Sequence, residues 1–164
     1  IGLFALLCFL PFGVIGMTAL ALRGSPWLAM IGGFLALVGF IAYGMIVIWQ
    51  EELMYHSSLL GGGALLTRLY NQINADPLMN ALLLVFSVGH LIGPMLLGIA
   101  LWRARLIPLW AMLALILRVP LQAIGFIANI GLTMEIFTYG LLFVASIPVA
   151  WALLSFADER VPSA

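Results

Sequence analysis

The chain has 164 residues, 65% of them hydrophobic and 7% charged, with a mean hydropathy of +1.24 and no formal net charge. Soluble domains carry roughly 25% charged residues, and disordered chains are poor in apolar ones, so both classes are excluded. The charge balance gives no footprint for nucleic acid, which leaves an integral membrane protein.

The first apolar window is 1–22. It has no basic leader and no A-x-A-like cleavage site, so it reads as a span rather than a signal peptide. It opens at Ile1, already apolar and without Met, which predicts a further span upstream. Cys8 is the single cysteine, has no intrachain partner, and reads as an inert buried thiol. Arg23-Gly24-Ser25-Pro26 turns the chain into the second window, 27–49.

The connection 50–77 is the long one. Within it Leu65, Leu66, Leu69 and Ile73 fall at helical spacing, with Thr67, Arg68, Asn71, Gln72 and Asn74 between them. That pattern suits a short helix lying in the membrane interface. Gly61-Gly62-Gly63 reads as its hinge, and Pro77 as its stop. Windows 78–101, 107–130 and 133–156 follow, separated by Arg103-Ala104-Arg105 with Pro108, and by Gly131. Crossing the ~30 Å hydrocarbon core takes about 20 apolar residues, and only a helix satisfies its own backbone there. The expected fold is all-α: a polytopic transmembrane helix bundle over 1–156, with five visible spans plus one interfacial amphipathic helix, and a polar tail at 157–164.

Arg23, Arg103, Arg105 and Arg160 fall on one side of this arrangement and Arg68 on the other. The excess of basic residues marks the cytoplasmic side. Loop 50–77 is then extracytoplasmic, and the C-terminus lies inside a cell inner membrane. Trp27, Trp49, Trp102, Trp110 and Trp151 sit near span ends, as an aromatic belt requires. Arg23-x2-Pro26-x2-Ala29-Met30 matches Arg105-x2-Pro108-x2-Ala111-Met112 at an offset of 82 residues, and Gly16 matches Gly98. This reads either as a duplicated hairpin or as two similarly punctuated turns.

Ionisable groups within spans are expensive and are functional candidates. They are His90, Arg118 and Glu135. Arg118, Gln122, Gly125 and Asn129 share a face of the fourth span, as do Glu135, Tyr139, Leu142 and Ser146 on the fifth. Asn80, Ser87 and His90 fit one face of the third. Counting outward from the turns gives three rungs: Asn80, Asn129 and Glu135; then Ser87, Gln122 and Tyr139; then His90, Arg118 and Ser146, near mid-membrane. Spans 3, 4 and 5 are expected to be mutual neighbours around this polar column, which is entered from the extracytoplasmic side.

Pro94 lies one turn beyond His90, and Pro120 two residues beyond Arg118. A proline within a helix frees a carbonyl one turn back, and Arg118 is a candidate donor to it. Gly89 and Gly93 form a G-x-x-x-G pair suited to close helix approach, expected here against the fourth span. Arg118 reads either as an anion anchor or as a hydrogen-bonded strut. His90 reads as a proton relay or as a neutral acceptor. Glu135 reads as a helix-start carboxylate or as a counter-ion. Glu52 and His56, spaced i, i+4, are weak metal-ligand candidates, short of a full ligand set. No catalytic motif is present, and no catalytic residue or cofactor is assigned.

Gly89-His90-Leu91-Ile92-Gly93, Gly98-Ile99-Ala100-Leu101-Trp102-Arg103-Ala104-Arg105, Ile107-Pro108-Leu109-Trp110-Ala111 and Pro120-Leu121 make a G-H-L-x-G … A-L-W-R-x-R … P-x-W-A core. Over about residues 87–125 this resembles uncharacterised bacterial multi-pass membrane proteins of GC-rich genomes. The resemblance implies about six spans and carries no activity with it.

Three function classes follow. The first binds or transports a small polar or anionic ligand, or a lipid headgroup, in the column. The second is an accessory subunit packing through Gly32, Gly33, Ala36 and Gly39, or through Gly89 and Gly93, in a homo-oligomer or larger complex. The third is a membrane-embedded enzyme using His90 or the Glu52/His56 pair. Membrane lipid is the expected surrounding partner in each case.

Overall fold

A computed structural model describes residues 2–61, 63–128 and 130–158. Among them the chain is helical: α1 (Gly2–Ala21), α2 (Pro26–Leu59), α3 (Gly63–Asn74), α4 (Pro77–Arg103), α5 (Leu109–Ile127) and α6 (Gly131–Asp158). Three stretches are long and apolar enough to cross a membrane: Pro26–Gly44, Pro77–Arg103 and Ile136–Ser155. Leu10–Ala21 and Leu109–Gly125 are apolar but shorter.

Proline and glycine set several of the boundaries. Ser25 ends the first turn region, its carbonyl accepts from Ala29 N–H at 3.0 Å, and Pro26 opens α2. Pro77 opens α4 rather than merely closing the segment before it. A proline costs little in the first turn, where its N–H would be unpaired anyway. Asp76 caps α4, its Oδ1 accepting from the N–H groups of Leu78 at 2.7 Å and Met79 at 3.2 Å. Gly61 adopts φ 69°, a left-handed conformation that suits the expected hinge into α3. Gly62 lies outside the described residues.

One boundary differs from expectation. Residues 50–59 continue α2 as helix instead of beginning a loop. They contain no proline or glycine to stop it, and the first breaker is the glycine run at 61. α3 is amphipathic as expected, lies at the periphery and buries none of its residues.

The tightest packing joins α2 to α4. A Cβ added at Gly89 would lie 2.5 Å from the Leu35 carbonyl oxygen and 2.6 Å from Gly39 Cα. One at Gly93 would fall on the backbone of Ala36. Two stripes of small residues therefore bring two backbones into contact, which is how helices pack closely where no hydrophobic force separates protein from lipid. The expectation that Gly89 and Gly93 face the fourth span is corrected by this: their partner is α2. The same contact consumes Gly32, Ala36 and Gly39, while Gly33 packs on Thr18 of α1. None of these faces is left for the external docking the sequence allowed.

α5 packs on α4 and on α6, and α1 packs on α2. α4 and α6 make no close backbone approach, so the three are not mutual neighbours among the described residues. The core between them is built largely from alanine and leucine. Ala21, Ala29, Ala36, Ala100, Ala111 and Ala145 are all fully buried, with Leu97, Leu101 and Leu115.

Candidate functional site

Arg118 is the largest fully buried side chain in the structure, at 1% exposure, and His90 is 2% exposed. They meet as the hairpin count predicts. Pro94 has no N–H to give the carbonyl of His90, four residues earlier. Arg118 Nη1 donates to that carbonyl oxygen at 3.1 Å. A break in the backbone ladder of α4 is thus closed by a charged donor from α5.

Above the guanidinium lies aromatic surface. Arg118 Cζ sits 4.9 Å from the centroid of the Tyr139 ring, a cation–π distance. Tyr43 on α2 is 6.4 Å from Tyr139 and stacks on Phe86 at 4.9 Å. Phe86 stacks on His90 at 4.0 Å and 11° between planes. Phe40 meets His90 edge-on at 6.4 Å. Four helices therefore contribute to one chain of partly buried rings running from Arg118 through Tyr139, Tyr43 and Phe86 to the buried His90.

Hydrogen bonding fixes the imidazole. Nδ1 lies 2.7 Å from the carbonyl oxygen of Phe86, which only accepts, so Nδ1 carries a proton. In the neutral ring Nε2 is then an acceptor. The Gln122 side chain lies beside His90 and the Tyr139 hydroxyl beside the guanidinium, but at full hydrogen-bond geometry Nε2, Arg118 Nε and Arg118 Nη2 have no partner among the described residues. Nε–H and Nη2–H form one edge of the guanidinium, the fork that matches two oxygens of a carboxylate or phosphate. No carboxylate pairs with Arg118 among the described residues.

The other expected positions divide. Tyr139 joins the site: its neighbour Thr138 meets Gln122, at the level expected for Tyr139, and its ring reaches the Arg118 guanidinium. Gln122 is close by; its amide oxygen accepts from Thr138 Oγ1 at 3.3 Å. Thr138, fully buried, takes the place beside Gln122 that the rung assigned to Tyr139. Ser146 donates to Leu142 O of its own helix at 2.7 Å and lines an apolar cavity of about 170 Å³ with Phe40 and Pro94.

Ser87 is exposed and points out of the bundle. It lies roughly 120° around α4 from Gly93, which fixes the inward face. Asn80 is also exposed and donates from Nδ2 to Asn74 O at 3.1 Å, tying α3 to α4. Asn129 lies outside the described residues, as do the side chains of Glu135 and Glu52. His56 is exposed, with its ring 5.4 Å from that of Tyr55. No group of three or more potential metal ligands occurs among the described residues.

The outer rung falls largely outside the described residues, with Asn129 and the Glu135 side chain among those not described. A Cβ at Gly125 would overlap Met134, so α5 and α6 touch one turn beyond Gln122. Among the described residues the polar groups gather around Arg118, His90, Gln122, Thr138 and Tyr139. Tyr43, Phe40 and Phe86 were missed from the sequence because an aromatic ring in an apolar span carries no polarity signal. The signal available was position: Phe86 lies one turn before His90, on the same face.

An all-helical chain with three helices long and apolar enough to cross a membrane is the class these features define. No protein-family model, curated protein or solved structure matches it.

Proposed function

We propose that the chain is a multi-pass membrane protein that holds a small oxyanion at the Nε/Nη2 edge of Arg118. In this reading α1 and α5 also cross the bilayer, giving five spans. α5 has 19 residues, roughly 28 Å at 1.5 Å each, close to the ~30 Å of the hydrocarbon core. The arginine-rich turns face the cytoplasm of a bacterial cell, as the excess of basic residues suggests. The expected relation to six-span bacterial proteins fits the same picture.

The observation that carries the reading is the unpartnered edge. An arginine at mid-membrane costs about 2.5–3.5 kcal/mol on insertion scales. One bond from a charged donor returns about 1.5–3 kcal/mol, and the Tyr139 ring about 2 kcal/mol when desolvated. These two terms roughly offset the insertion cost, but three N–H groups on Nε and Nη2 stay dry. A carboxylate or phosphate oxygen pair satisfies the two on the Nε/Nη2 edge and neutralises the charge.

A second reading is favoured by the bond to His90 O. Arg118 is then a strut that repairs the Pro94 gap and binds nothing. Thermal unfolding with formate, acetate, bicarbonate and phosphate separates the two, since a ligand that binds only the folded state stabilises it by mass action. The oxyanion reading predicts a saturable rise in melting temperature with at least one of them, absent in Arg118→Lys, which keeps the charge and loses the fork. No rise with any anion, or an equal rise in Arg118→Lys, leaves the strut.

A further inference from the structure

The turns between α1 and α2 and between α4 and α5 touch at one end of the bundle. A Cβ at Gly24 would lie 2.6 Å from Ala104 Cα, so glycine is what allows the contact. It places Arg23, Arg103 and Arg105, all exposed, in two adjoining turns at the same end of the bundle. The candidate spans Pro26–Gly44 and Pro77–Arg103 begin and end at this level. With those spans set across a bilayer, the three arginines fall at headgroup level. Trp27, Trp102 and Trp110, all exposed, lie within a few residues of these turns along the chain. The amino ends of α2 and α5 point the same way, and their free N–H groups add positive potential.

Arg105 gives an independent observation. Its φ is 58°, the left-handed region. Leu106 N–H bonds to Leu101 O at 3.0 Å and Arg105 N–H to Trp102 O at 2.9 Å, the double closure of a helix end that glycine ordinarily supplies. A side chain there is strained. Backbone strain retained at a specific residue points toward a use for that side chain.

We propose that this notch binds the phosphate of an anionic phospholipid headgroup from the adjoining leaflet. It is separate from the Arg118 site and does not rest on it. A basic residue close to an anionic lipid surface is worth about a fivefold change in affinity.

The test is native mass spectrometry of the full chain released from mild detergent and titrated with phosphatidylglycerol or with phosphatidylcholine of the same acyl chains. The wild-type chain is expected to retain phosphatidylglycerol at least ~10-fold better. Arg105→Gly is expected to lose retention about fivefold with a melting temperature unchanged or raised, because glycine relaxes the turn. The triple variant Arg23→Gln, Arg103→Gln, Arg105→Gln loses roughly 100-fold, and Arg68→Gln, at the other end, loses nothing. Equal retention of the two lipids, undiminished retention in Arg105→Gly, or an equal loss in Arg68→Gln overturns the proposal.

Discussion

Replacing Gly89 by alanine adds one carbon to the most crowded point of the α2–α4 contact. That carbon would stand 2.5 Å from Leu35 O and 2.6 Å from Gly39 Cα, both backbone atoms with no rotamer to escape into. Favourable contact between carbon atoms lies at ~3.5–4.0 Å, so the two helices must part by about 1 Å. Overpacking of this kind costs about 1–3 kcal/mol. Alanine also gains up to about 1 kcal/mol over glycine in a helix, so the control must share that gain. Gly140→Ala does: it is helical and has nothing within 4 Å of its added carbon. For a chain of this size each kcal/mol moves the melting temperature by about 2–4 °C. Gly89→Ala is therefore expected to melt ~3–10 °C below Gly140→Ala in one mild detergent, read by tryptophan fluorescence. His90 follows Gly89 directly, so the same shift strains the 3.1 Å bond from Arg118 to its carbonyl. If Gly89→Ala melts with Gly140→Ala or above it, the close crossing is not what the account describes.

Pro94→Ala restores an N–H that competes with Arg118 for His90 O. In that background Arg118→Met is expected to cost about 1–2 kcal/mol less than in the parent, measured as a double-mutant cycle of unfolding free energies. A cycle with no coupling removes the link between the proline gap and the arginine. Tyr139→Leu removes the ring beneath the guanidinium and is expected to destabilise by about 1–2 kcal/mol, more than Tyr139→Phe; equal effects would place the contribution in the hydroxyl. Asp76→Ala deletes the acceptor of two backbone N–H groups and is expected to cost about 1 kcal/mol, whereas Asp76→Asn keeps most of it. Unfolding of the two variants side by side decides this.

The sequence already placed much of this arrangement. Continuous apolar windows located the helices, because lipid leaves the backbone one way to satisfy itself. Equal distance from the Arg103–Arg105 turn sets His90 level with Arg118; Pro94 and Pro120 both offered a freed carbonyl, and the structure shows that it is the one Pro94 frees, His90 O, that receives the guanidinium. Face assignment was weaker. Ser87 fits His90 at three residues, but the inward face of α4 is set by Gly89, Gly93 and Phe86, and Ser87 lies beyond its edge. The glycine stripes of the second and third spans were both visible, yet each lacks a mark naming its partner. Only the packed bundle shows that they fit one another. Tyr43 entered from α2, a span with no polar stripe, so periodicity had nothing to register. The long connection begins later than its composition suggests, because Gln50, Glu51 and Glu52 are polar but none breaks a helix, and α2 continues through them to Leu59.

The central claim is that the open edge of Arg118 holds an oxyanion. Native mass spectrometry of the chain released gently from its own membrane tests it most directly. A small adduct of defined mass, present on the wild-type chain and absent from both Arg118→Leu and Arg118→Lys, is the predicted result. A bare chain in all three samples, or an adduct that survives both substitutions, would contradict it.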